Sequence, residues 1–175
     1  MDSGYIQNYE DQAAHVEEVI KALPGYYRFA NYHNPIFPIC ADQTENSNDA
    51  KVIREGLKWW VPLFDKYNFT AVLEHHTHYR KISHRLRNSS LYEYGTRYVG
   101  DGSWGVPNQT CSEERTPSYM NLIADSAQHD PNHFWQIIVN KTGNPEGPYQ
   151  VNYTAVDINY KVVSQYMDIL LPLKW

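Results

Sequence analysis

Two short runs rich in aromatic and apolar residues, 26–32 and 69–73, are separated by a helical stretch, and this order constrains the fold most. Strands that alternate with helices pack as a parallel sheet with helices on its face. Ahead of the first run, residues 10–23 carry Val16, Val19, Ile20 and Leu23 at helical spacing, and Pro24-Gly25 stops that helix. Between the runs a second helix opens near Ser47 or Asn48, with Asp49 in its first turn. It is expected to bury Val52, Ile53, Leu57 and Trp60, with Pro62 disturbing its last turn. The first 80 residues therefore read helix–strand–helix–strand.

Beyond residue 80 the texture becomes β-rich. Residues 81–86 and 96–99 read as strands, the latter entering the turn Gly100-Asp101-Gly102-Ser103-Trp104-Gly105. Residues 106–131 read mostly as loop with a short helix around 119–125, and 133–139, 149–158 and 161–169 as three further strands. Asp157-Ile158-Asn159-Tyr160 is expected to turn between the last two. The fold class is α/β (α+β), with antiparallel strands at the end.

A chain that is 42% hydrophobic can bury a core, which excludes wholesale disorder. Net charge is −5 with scattered Lys and Arg, against a nucleic-acid binder that works by phosphate neutralisation. No run of about 18 apolar residues is present, so no helical membrane span is expected. Asn-x-Ser/Thr sequons start at Asn68, Asn88, Asn108, Asn140 and Asn152. Composition alone predicts about 1.4 of them, so the excess points to a secreted, extracellular or lysosomal chain. Met1-Asp2-Ser3-Gly4-Tyr5 lacks the basic and apolar parts of a leader, which predicts that a longer polypeptide precedes it. Cys40 and Cys111 fit neither a zinc knuckle nor a CxxC motif; in an oxidising compartment they could pair, and sequence leaves that open.

Leu73-Glu74-His75-His76-Thr77-His78 places three of the eight histidines within four positions, directly after a strand. His33 follows the other strand, 43 residues before His76. Sites in open α/β sheets form at the carboxyl ends of strands, so these imidazoles are expected to converge as nitrogen ligands for Zn, Fe or Mn. A mononuclear zinc site made of His33, His76 and His78 is one form this could take. His15, His84, His129 and His133 belong to no motif and read as ordinary surface or core histidines.

Tyr32-His33-Asn34-Pro35 and Glu74-His75-His76-Thr77-His78 resemble the last two histidine motifs of calcineurin-like metallophosphoesterases. Asp2-Ser3-Gly4, the stretch Trp60-Val61-Pro62-Leu63-Phe64-Asp65-Lys66-Tyr67, and Gly100 to Pro107 extend the resemblance, in order, to the purple-acid-phosphatase-like branch. The resemblance implies the C-terminal half of a four-layer α/β/β/α sandwich. Residues 1–107 would belong to its catalytic domain, and residues 108–175 would be a β-rich segment closing the same domain.

It further implies a phosphoric-ester hydrolase, acid-phosphatase-like, with two metal ions (Fe, Zn or Mn) and a metal-bound hydroxide acting on a phosphate-ester substrate. His33 and His76 would ligate one ion and His78 the other, while His75, Asp101 and Trp104 would line the site or face substrate. The position of His75 is Gly or Asn in the family, a departure that favours a surface role. The family's earlier Asp-x-His, Gly-Asp and Gly-Asn-His motifs do not occur here. No catalytic residue is therefore assigned in this half, and the chain alone is expected to bind metal weakly or not at all and to be poorly active. Strands deprived of neighbours would leave an exposed edge, open to self-association. The alternative is a short secreted protein, a non-catalytic remnant or binding module.

Overall fold

The computed structural model describes residues 1–23, 27–100, 110–127, 132–143 and 148–170. Helix α1 (Tyr9–Ala22) starts at Asn8, whose side chain caps the Asp11 amide, and it leads to strand β1 (Phe29–Tyr32). Helix α2 (Asn48–Glu55) is capped by Ser47 through the Ala50 amide, as its sequence signals predict. It runs on through a π-helical turn, Gly56–Trp60, into α3 (Val61–Lys66). The wider turn accommodates Pro62, which donates no backbone hydrogen bond, so the helix passes the proline rather than ending there. Leu57, expected in the core, lies 36% exposed, whereas Trp60 is fully buried.

Strands β2 (Ala71–Glu74), β3 (Arg80–Ser83), the hairpin β4 (Leu86–Arg87) and β5 (Ser90–Leu91), and β6 (Arg97–Gly100) follow. The stretch read as a helix at 119–125 is a 3₁₀ turn, Met120–Leu122, and then a strand, β7 (Ile123–Ala127). Strand pairing decides this, because β7 joins β3 and Arg80 forms an ion pair with Asp125. Strands β8 (His133–Lys141), β9 (Tyr149–Asp157) and β10 (Val162–Leu170) complete the chain.

The first sheet has the order β1-β2-β6-β3-β7, with β1, β2 and β6 mutually parallel and β3 antiparallel to both neighbours. Its helix-covered face packs Ala30, Tyr32, Val72 and Tyr98 with Trp60, Phe64 and Phe69. Its other face packs Ala71, Ile82 and Val99 against Val151, Tyr153 and Leu170 of the antiparallel sheet β10-β9-β8. The layers among the described residues are thus helix, sheet, sheet, the mixed α/β architecture expected.

Two contacts pin the sheets at opposite ends. Arg97 donates Nε and Nη2 to both oxygens of Asp168, each at 2.6 Å, and Trp135 Nε1 donates to Gly100 O at 2.7 Å. Cys40 and Cys111 are joined in a disulfide across 71 residues. Closing a loop of that length removes about 4 kcal/mol of unfolded-chain entropy. No helix among the described residues is long and apolar enough to cross a membrane.

Half-buried carboxylates organise the turns. Asp2 accepts from the amides of Gln7, Ile6 and Tyr5, Asp42 from the amide and hydroxyl of Thr44, and Asp157 from the amides of Lys161 and Asn159. These bonds hold all three acids below their ordinary range, and Lys66 with Tyr67 lowers Glu17 to about 2. Acids depressed by folding stabilise the native state above their ordinary pKa and lose that contribution as pH falls through the folded values. The urea midpoint is therefore expected to drop as pH is lowered below about 4. A midpoint unchanged from pH 5 to pH 3 would contradict this reading.

Candidate metal-edge site

The register of β1 on β2 places Tyr32 opposite Glu74, so both strands end at one level and release their histidines side by side. His75 N donates to His33 O at 2.9 Å, which extends the pairing one residue beyond the strands. His33 Nε2 and His76 Nδ1 then lie 3.1 Å apart, with the rings edge to face. Two nitrogens bound to one ion at zinc–nitrogen bond lengths sit about 2.9–3.4 Å apart, so this pair fits one edge of a coordination sphere.

The loop carrying the other histidines is strained. His76 and His78 have φ of 66° and 58°, in the left-handed region that costs a non-glycine residue about 1–3 kcal/mol. Such strain needs support from below, and Glu74 supplies it. Glu74 is fully buried, and its Oε1 accepts from Tyr32 Oη and from Ile36 N, both at 2.7 Å. Its Oε2 pairs with Lys81 Nζ, which also donates to Phe37 O. One ion pair therefore joins the end of β1, the buried loop after it, the end of β2 and the middle of β3. Burial pulls the Lys81 ammonium below the ordinary lysine range while Glu74 opposes that shift, and burial together with Glu74 drives the Tyr32 hydroxyl well above its own.

Of the residues read from sequence, His33 and His76 come together and His78 does not join them. His78 Nδ1 is buried with no hydrogen-bond partner, an orphaned electron pair or N–H of the kind a further ligand would satisfy. Among the described residues no three His, Cys, Asp or Glu side chains are placed to hold one ion, so a single three-histidine zinc site is not assembled. The donor set thus fits a metal only as a two-imidazole edge. His75 turns aside and donates Nε2–H to Asn31 Oδ1 at 2.6 Å. Asp101 and Trp104 lie outside the described residues, as do Asn108 and His129. His15 and His84 are exposed and His133 is buried against Trp135.

Sequence reasoning missed Asn31, Tyr32 and Lys81 as parts of the site. Strand alternation could have supplied Asn31, since it shares a face of β1 with His33. Replacing Glu74 by Gln leaves Lys81 buried without its counter-charge and is expected to cost about 3–5 kcal/mol. The double variant E74M/K81M, which removes both charges, is expected to cost less than that single change. Urea unfolding of the variants checks this, and a double variant worse than the single would contradict it.

Comparison with known proteins addresses the fold. No family model matches the chain, and no curated protein matches it. Among solved structures it is similar to the purple acid phosphatase PPD1 from yellow lupin (Lupinus luteus) seeds, with a TM-score of 0.67 and 12% identity over 91% of this chain. It is also similar to GAP50 of Plasmodium, described as the anchor in the inner membrane complex, with a TM-score of 0.54 and 12% identity over 95% of this chain. The match spans 28% of the lupin protein and 42% of GAP50, less than half of either. The chain has the fold of part of a purple acid phosphatase.

Proposed function

We propose that this chain is the histidine-bearing C-terminal part of a secreted or lysosomal phosphoric-ester hydrolase of the purple-acid-phosphatase-like class. The observation that carries the reading is the His33–His76 pair, 3.1 Å apart at the ends of neighbouring parallel strands in that fold. In the complete enzyme two metal ions would supply a Lewis acid and a hydroxide nucleophile. His33 and His76 would hold one ion and His78 the other. The remaining donors would come from polypeptide outside these 175 residues. Glu74 and Lys81 would fix the histidine loop, and Asn31 would hold His75 clear of the ligands.

A second reading is favoured by the Plasmodium match, a protein described as an anchor. Here the chain is a non-catalytic binding module that kept the fold. A native polypeptide of 20.5 kDa after glycan removal supports the module, and in a larger protein phosphomonoesterase activity separates the hydrolase from a non-catalytic protein of the anchor kind. In the larger protein, His76→Ala is expected to cut phosphomonoesterase activity by at least the roughly 10–100-fold typical of losing a residue that supports a metal ligand. Unchanged activity in that variant would overturn the hydrolase reading.

A further inference from the structure

The outward face of the three-stranded sheet carries no helix among the described residues. Phe134, Ile138, Met167 and Ile169 stand on it at 43, 41, 55 and 45% exposure. Alternation along β8, β9 and β10 puts amides and a threonine hydroxyl at most of the other outward positions and no Lys, Arg, Asp or Glu at any of them. An ordinary solvated face would carry charge, and one packed under a helix would be more uniformly apolar. A mixture of apolar side chains with neutral donors and acceptors matches a sugar, whose ring faces are C–H and whose rims are hydroxyl.

Two sequons stand on this same face. Asn152 and Thr154 both point outward from the central strand, while Tyr153 between them is fully buried. Asn152 lies opposite Ile138, and Asn140 is two residues further along β8, a diagonal neighbour at about 7–8 Å. Asn140 is exposed and Asn152 half-buried, with its Oδ1 accepting from Gln150 Nε2 at 2.9 Å.

We propose that N-linked glycans on Asn140 and Asn152 cover the outward face of the three-stranded sheet and shield its apolar residues from water. The histidine edge belongs to the other sheet, and the proposal requires that this part of the outward face lie outside the fourth layer of the α/β/β/α sandwich that the hydrolase reading implies. It requires passage through the secretory pathway, with which the Cys40–Cys111 disulfide accords.

The test is made on the native polypeptide from its source. Glycans are removed enzymatically in ¹⁸O water, and the resulting Asp labels are mapped by peptide mass spectrometry. Label is expected at both 140 and 152. Binding of an apolar dye is then compared before and after deglycosylation without denaturant, and a severalfold rise is expected. Label confined to Asn68 or Asn88, no label anywhere, or dye binding unchanged by deglycosylation would each overturn the proposal.

Discussion

Beneath the histidine loop, Glu74 accepts from Tyr32 Oη and Ile36 N while Lys81 neutralises it and donates to Phe37 O. The arrangement answers a problem of the fold. The segment from Asn34 to Ala41 is buried although it is not regular structure, so its amides and carbonyls need partners that neither a helix nor a sheet provides. Side chains fill that role: Glu74 and Lys81 at Ile36 and Phe37, and Tyr119 Oη at Pro38 O. With that loop anchored, His33 cannot drift from the end of β2. The buried ion pair contributes geometry more than net stability, since desolvating both charges offsets much of their attraction.

The two sheets give the site its rigidity from behind. The Arg97–Asp168 pair is bidentate, flanked by the rings of Tyr153 and Tyr166, and sits at the end of β6 away from the histidines. Trp135 holds Gly100 at the near end. A Cβ at Gly100 would come within 2.6 Å of the Lys81 side chain, so the close approach that seats Lys81 under Glu74 needs a glycine there. Sheet stacking and loop support are therefore coupled through one residue of β6.

Much of this was legible in the sequence. The strand–helix–strand order, the Ser47 cap, the end of β1 at His33 and the final antiparallel strands all follow from local pattern and are found in the structure. What escaped was non-local. Residues 34–41, with Pro35 and Pro38, show no helical or strand period in the sequence; their burial depends on Glu74, which is about 40 residues away in sequence. Strand β7 is half-buried along its whole length, so it shows no alternation, and its pairing with β3 decides its conformation. At the site, the proximity of His33 and His76 followed from parallel strand ends. The turning of His75 to Asn31 and the separation of His78 depend on left-handed backbone at His76 and His78, which histidine as a residue type does not signal.

The account rests on His33 and His76 forming a single donor edge. Following the imidazole nitrogens of the native polypeptide by long-range ¹H–¹⁵N NMR during zinc titration tests this directly. The His33 Nε2 and His76 Nδ1 resonances should move together along one binding curve, while His75 keeps the shift of a ring donating to Asn31 and His78 does not follow that curve. If His33 and His76 respond along different curves, or neither moves at zinc concentrations that shift the other histidines, the two imidazoles do not form one edge and the account fails.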